Sequence, residues 1–389
     1  MKPNEYPTPY FAVDRRKLEE NLKLLKSVKD RTGCKILLAT KSFSMWKVAP
    51  LVMQYLDGTC ASSPWEARMG REEFGGEVHA FAAAYSETDI RDLLETCNDI
   101  LFNSFAQWNK FKPLIEASGK KIKCGLRINP EHSTGDTPIY DPCAPNSRLG
   151  IPLKDFEGQS LDGISGLHFH TLCEQDSDDL ETTLAAVEEK FGHLIPQLEW
   201  FNFGGGHHIT RPDYDIDRLC RLVSEFQDKY GVQVYLEPGE AVALNAGVLV
   251  TSVMDLKSNG MDIAIIDASA AAHMPDVLEM PYRPRLCRCP GHLVPAEGLR
   301  AGEEGEKSHT YRLGGHTCLA GDVIGDYSFD TPLKAGDRLM FEDMAIYSMV
   351  KSTMFNGVQH PAITLYEAEA NELEIVREFS YADFKTRLS

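Results

Sequence analysis

"KILLATKS", residues 35–42, is a short apolar run that stops on a lysine. A run of this length bounded by polar residues reads as a buried strand, and lysine is among the costliest side chains to bury. Lys41 therefore marks the point where a core strand leaves the sheet or barrel it belongs to. The same pattern recurs on both sides of it. "PYFAVD" (9–14) reads as a strand, and an amphipathic helix follows with Asp14 as N-cap and Leu18, Leu22, Leu25 and Val28 on one face. After "KILLAT" the pattern predicts a helix over 44–56, and after "GTCAS" one that begins at Pro64 with Ser63 as cap. "VHAFAAA" and "DILFN" lead into helices after Ser86 and Ser104. "KCGLRIN" (123–129) runs into a long loop; "GISGLHFHT" (163–171), "LEWFNF" (198–203) and "VQVYLEP" (232–238) complete the set, with helices near 178–192 and 215–229.

About eight strands alternating with helices predict an α/β fold, a (β/α)8 barrel over residues 15–248. A doubly wound open sheet is the rival, but it gives no reason to stop near eight strands. Beyond residue 248 the rhythm changes: "GVLVTSVMDLK", "MDIAIIDAS", "HTYRLGG", "DRLMFED" and "ITLYE" are strand-like and separated by turns. This predicts a mostly antiparallel β domain over 249–389, joined by residues 1–14, with "AEGLRAGEEGEKS" (296–308) as an exposed loop.

A chain of 389 residues suits two domains, and 43% hydrophobic with 25% charged residues is ordinary for a soluble globular protein. No apolar stretch approaches the roughly 18 residues that span a bilayer. "MKPNEYPTPYF" does not read as an export signal, so the ten cysteines are expected to be reduced thiols in the cytoplasm. A net charge of −18 argues against nucleic acid and anionic membranes as partners and is compatible with a cationic ligand.

In such a barrel the carboxyl ends of the strands line the catalytic mouth. Reading each strand to its end brings Lys41, Ser62, Ser63, Arg127, His170, the "GGG" of 204–206 and Glu237 to one rim. Strand alternation turns His168 and His170 the same way. A lysine against an apolar wall suits Schiff-base formation, or simply snorkels into solvent. Three glycines expose backbone N–H groups to a phosphate, or only make a tight turn. Glu237 on an inward-facing strand end needs a cation, either a protonated pyridine ring or Arg127. His170 could stack on a planar ring or be a hydrogen-bonded core histidine. Jointly the four describe a site for pyridoxal phosphate. "CRCPGH" (287–292) lacks the spacing of a structural zinc site and reads as loop, so no metal is expected.

These residues resemble the alanine racemase-like (fold type III) family of pyridoxal phosphate-dependent decarboxylases, and more closely its branch acting on carboxynorspermidine and carboxyspermidine in polyamine biosynthesis. The matching stretches run along nearly the whole chain: "TPYFAVD", "ATKSF", "TCASSPWEA", "LRINP", "SRLGIP", "GLHFHTLCEQ", "FNFGGGHHIT", "YLEPGEA", "GHTCLAGD" and "MAIYSMVKSTMFNG". The resemblance implies that Lys41 holds the cofactor covalently, His170 stacks on its ring, and Glu237 pairs with the ring nitrogen. Gly204, Gly205, Gly206 and Tyr347 would hold the phosphate, with Arg127 a further cofactor-side residue. "GHTCLAGD" would arrive from the partner of a homodimer with shared sites, placing Cys318 near the reacting carbon and Asp322 near a substrate amine. Arg148, Glu240, Asp267 and Asp276 are the other candidates for binding a carboxylated polyamine, each acid alternatively capping a turn. One departure stands out. Ornithine and diaminopimelate decarboxylases, the rival assignment, carry arginine after "EPG" where this chain has Glu240. A non-catalytic pyridoxal phosphate carrier is the rival of another class, and the domain beyond residue 250 argues against it.

Overall fold

The computed structural model describes residues 1–135 and 138–389. Backbone contacts divide them into two compact units, Asn21–Val242 and Met1–Glu20 with Ala243–Ser389.

After β1 (Tyr10–Asp14), which belongs to the other unit, come the eight barrel strands. They are β2 (Lys35–Ala39), β3 (Gly58–Ala61), β4 (Glu77–Phe81), β5 (Asp99–Phe102), β6 (Lys123–Arg127), β7 (Gly166–His168), β8 (Trp200–Asn202) and β9 (Gln233–Leu236). They form a closed parallel barrel in chain order, sealed where Lys35 and Ile36 of β2 pair with Tyr235 and Leu236 of β9. The predicted eight-stranded barrel is the one observed. Its interior is packed: Leu37, Leu101, Trp200 and Tyr235 form the central cluster, with Cys60 and Phe81 against it. Trp200 occupies room that two neighbouring strands leave by lacking a Cβ. A methyl on Gly125 would lie 2.4 Å from the indole, and one on Gly166 only 2.1 Å.

The connecting helices start where their caps dictate. Asp14 Oδ1 accepts the N–H groups of Arg16 and Lys17 at the head of Arg15–Thr32. Ser63 and Ser104 cap Pro64–Met69 and Phe105–Ala117, and Ser86 forms a capping box with Asp89. Ser177–Phe191 and Ile216–Tyr230 fill the two later helical stretches. The helix expected over 44–56 is the exception: only a 3-10 turn at Trp46–Val48 and one α-turn at Ala49–Val52 form. Pro50, which has no N–H to donate, fixes the start of that turn, and the chain must enter β3 by Gly58.

The second unit is a mixed, mostly antiparallel sheet of nine strands. Besides β1 it contains β10 (Gly247–Ser258), β11 (Asp262–Ile266), β12 (Leu286–Arg288), β13 (His309–Gly314), β14 (Val323–Phe329), β15 (Arg338–Glu342), β16 (Ala362–Glu367) and β17 (Glu372–Arg377). As expected, β1 joins this sheet, pairing antiparallel with β10 and parallel with β16. Three strands were not anticipated. One of them, β12, begins inside "RLCRCP", where Cys287 pairs with Met340 of β15 and the chain is ladder rather than loop. Leu249, Leu313, Tyr327, Leu339 and Phe341 are among the residues of the larger apolar cluster on this sheet.

Among the described residues no helix is long and apolar enough to cross a membrane.

Candidate active site

The carboxyl ends of the barrel strands gather a dense polar group. Lys41 lies two residues beyond β2, exposed rather than walled in by apolar side chains, with Nζ 3.5 Å from His170 Nε2. His170 is held from two directions. Arg127 Nη2 donates to its backbone carbonyl at 2.8 Å, and the Gly205 N–H donates to its ring Nδ1 at 2.9 Å. Accepting at Nδ1 places the ring proton on Nε2, the edge that faces Lys41. Burial, and then the nearby Lys41 and Arg127 charges, hold this imidazole well below its ordinary range, so it is neutral at physiological pH.

Glu237 follows β9 directly and has 11% side-chain exposure. Asn202 Nδ2 donates to Oε1 at 2.8 Å, and His168 Nε2 lies 3.4 Å from Oε2. Burial alone would raise this carboxyl, but His168, through its hydrogen bond and charge, then the His79 charge and the Asn202 donor, outweigh it and bring it down to about 2. Burial also pushes His168 down, so it contributes a ring N–H rather than a cation. Among the described residues, the hydrogen-bonding partners of this carboxylate are therefore neutral. Such a charge favours a cationic ligand, as a protonated pyridine nitrogen would be.

Arg127, offered from sequence as an alternative partner for Glu237, is engaged elsewhere. It bonds the His170 carbonyl and lies 4.7 Å from the Phe81 ring centroid. Burial pushes its guanidinium down to about 10, still a cation at neutral pH.

The glycine turn is dictated by close approach. A Cβ on Gly204 would meet Phe169 O at 2.3 Å, one on Gly205 would meet Glu237 O at 2.5 Å, and one on Gly206 would meet Leu172 O at 1.9 Å. Gly204 and Gly206 also have positive φ, +69° and +84°. Two of the three N–H groups expected to face a phosphate are already used, Gly204 by Asn202 Oδ1 and Gly205 by His170 Nδ1. Contact of the triplet with an anion thus falls to Gly206.

Glu240 Oε2 lies 3.8 Å from His208 Nε2, and burial brings that imidazole down to about 4. Arg148 is exposed on a loop anchored by Asn103, which donates to Arg148 O at 2.7 Å and accepts the Gly150 N–H at 2.6 Å.

The sheet unit holds the remaining predicted residues. Tyr347 has φ 49° and ψ −51°, and Ser348 N–H bonds Ile346 O at 2.5 Å across it. This is a γ-turn, a strained conformation for an aromatic residue and the kind that persists at functional sites. Cys318 is exposed, its N–H bonded to Asn356 Oδ1 at 2.8 Å. The three aspartates offered as amine ligands each have partners within their own unit. Asp322 is buried and accepts from Ser269 Oγ, Thr317 Oγ1 and the Ala271 N–H. Asp267 accepts from Thr8, Thr251 and the Ser252 N–H, and Asp276 is ion-paired with Lys351.

Sequence reasoning missed Asn202 as a site residue, gave His168 an orientation but no role, and overlooked Asn103. The signal was present: an asparagine within an apolar strand, as in "WFNF", must find buried partners.

A family described as pyridoxal-dependent decarboxylase, C-terminal sheet domain, matches residues 22–345. The chain is 44% identical over 380 residues to a carboxynorspermidine/carboxyspermidine decarboxylase of Campylobacter jejuni, covering 98% of each. It is 41% identical over 384 residues to a carboxyaminopropylagmatine decarboxylase of Synechocystis sp., covering 98% of this chain and 95% of the relative. Among solved structures, a carboxynorspermidine decarboxylase from Campylobacter jejuni complexed with norspermidine aligns with a TM-score of 0.88 at 43% identity. That alignment covers 98% of this chain and 100% of the other.

Proposed function

The chain belongs to the pyridoxal-dependent decarboxylases, and from that premise we infer that it removes the α-carboxylate of carboxynorspermidine or carboxyspermidine, releasing norspermidine or spermidine. The observation that carries the reading is Glu237, an ionised, nearly buried carboxylate hydrogen-bonded by Asn202 and His168 at the same rim of the barrel as the exposed Lys41. Bound pyridoxal phosphate supplies a conjugated ring that accepts the electron pair left when CO2 departs.

The protein's part is to bind that ring, orient it and manage protons. Lys41 holds the cofactor covalently, and neutral His170, fixed at ring and backbone, provides a flat face for stacking. Glu237 would keep a proton on the ring nitrogen, supplying the fixed negative charge that this protonation needs. Gly206 serves the phosphate, Arg127 acting through His170. Cys318 of a second subunit donates the proton that replaces CO2 on carbon; the active form is a homodimer.

Distal ammonium groups of the substrate need carboxylates. Glu240 in the barrel unit and Asp267, Asp276 and Asp322 in the sheet unit are the acids proposed for that task. An overall charge of −18 favours encounter with a polycation. Ten unpaired thiols support a reducing, cytoplasmic setting.

The test is CO2 release from carboxynorspermidine, carboxyspermidine, carboxyaminopropylagmatine, diaminopimelate and ornithine. The two carboxylated triamines should show the highest kcat/KM. Fastest turnover of diaminopimelate would overturn the substrate assignment. Fastest turnover of carboxyaminopropylagmatine would favour a guanidine-ended substrate, the reading that the 41% identical relative supports. Discrimination between the two triamines, which differ by one methylene, should be modest, within about 10–200-fold. Mixing Lys41→Ala with Cys318→Ala subunits should restore activity that each lacks; no restoration would remove the shared site.

A further inference from the structure

We propose that Asn202 is a positioning residue of the decarboxylation centre, locking the Glu237 carboxylate to the glycine turn through a closed ring of hydrogen bonds. The ring has three members. Asn202 Nδ2 donates to Glu237 Oε1, the Glu237 N–H donates to Gly204 O, and the Gly204 N–H donates back to Asn202 Oδ1, each at 2.8 Å. Asn202 is fully buried at the end of β8.

This arrangement demands a primary amide. Turning the side chain over would set oxygen against carboxylate and NH2 against N–H, so the orientation is fixed by its neighbours. An ionised aspartate could accept from Gly204 but could not donate to Glu237 without first taking up a proton. Leucine would fill much of the volume and leave two buried polar groups unpaired. The amide thus ties together two features that the proposed function uses separately, the anion-facing turn and the carboxylate beside the ring nitrogen. A displacement of the turn is carried to Glu237 through one rigid side chain.

The proposal rests on the assignment of Glu237 to the ring nitrogen, and the experiment separates the two. The holoenzymes of Asn202→Asp, Glu237→Gln and the double variant are compared by kcat, KM, the pH profile of kcat, the pH dependence of the bound cofactor's visible absorbance, and Tm. In Asn202→Asp two adjacent carboxylates compete for one proton. The other titratable or charged groups around Glu237 are His168 on β7, Cys60 on β3, His79 on β4 and Arg127 on β6, all retained. Expected for Asn202→Asp are a fall in kcat of roughly tenfold to a hundredfold with KM little changed. The acid limb of kcat and of the absorbance should move to higher pH. The double variant again pairs an amide with a carboxylate, so it should regain the lost Tm but not kcat, since the charge has left the ring nitrogen. An Asn202→Asp enzyme with wild-type kcat and an unmoved acid limb, beside an impaired Glu237→Gln, would overturn the proposal alone. A Glu237→Gln enzyme with wild-type turnover would remove the reading beneath it.

Discussion

Two carboxylates in the barrel, Glu77 at its amino end and Glu237 at its carboxyl end, are both brought down to about 2, by different means. At Glu77, burial opposes the shift, and His79 and Lys35 outweigh it. Lys35 forms an ion pair with Glu77, and Tyr235 Oη donates to the same carboxylate at 3.0 Å. Its charge is compensated within the chain. Among the described residues, Glu237 is hydrogen-bonded by an amide and an imidazole rather than by a lysine or arginine, with the His79 and Arg127 charges acting on it without a hydrogen bond. The difference separates structure from function: a charge that supports the fold brings its counter-ion, whereas one that serves a ligand leaves that part to the ligand.

The sharpest way to break the comparison is to neutralise each acid in turn. Glu237→Gln should cost about 10²–10³-fold in kcat with the cofactor still bound, the scale of losing one preorganised electrostatic group. Glu77→Gln should leave kcat near wild type and lower Tm instead. Equal kinetic losses from both would erase the distinction.

A second effect concerns packing between the two ends. Gly166→Ala would put a methyl 2.1 Å from Trp200 and should cost about 1–3 kcal/mol or more in denaturant unfolding. Wild-type stability would show that the indole can move aside.

Acid sensitivity sharpens the picture further. Both carboxyls drop from 4.5 to about 2 in the folded chain, so the unfolded chain binds more protons in that interval. Their stabilisation is complete above about 4.5 and is lost as the pH falls toward 2. Unfolding measured at successive pH values should give a shallower acid loss in Glu77→Gln than in wild type; identical slopes would contradict the role of the Lys35 pair.

The smallest effect belongs to the rim. Arg148 is exposed, and a cation gripping the carboxylate that must leave would stabilise the ground state. Arg148→Ala should raise KM a few-fold, with kcat unchanged. A fall in kcat would give it a part in the chemistry.

Much of this was legible in the sequence. The barrel was readable because each strand is a short apolar run ending on a polar residue, and "GGG" because close backbone approach permits only glycine. The hydrogen bonds that Asp322 and Asp267 make within the sheet unit were not legible, for a reason that sequence cannot remove. An acid that caps Ser269 and Thr317 looks the same in one dimension as an acid that binds an amine, and only their three-dimensional neighbours distinguish them. The γ-turn at Tyr347 left no mark, since strain of this kind is imposed by surrounding structure rather than local preference. The truncated helix after Lys41 was over-read because apolar periodicity continued past Pro50 while the approach of β3 set the limit.

The most direct test is the protonation state of the ring nitrogen, read by nitrogen-15 NMR of holoenzyme loaded with labelled cofactor. A protonated nitrogen in the wild type that loses its proton in Glu237→Gln is the predicted result. The same protonation state in both would contradict the account.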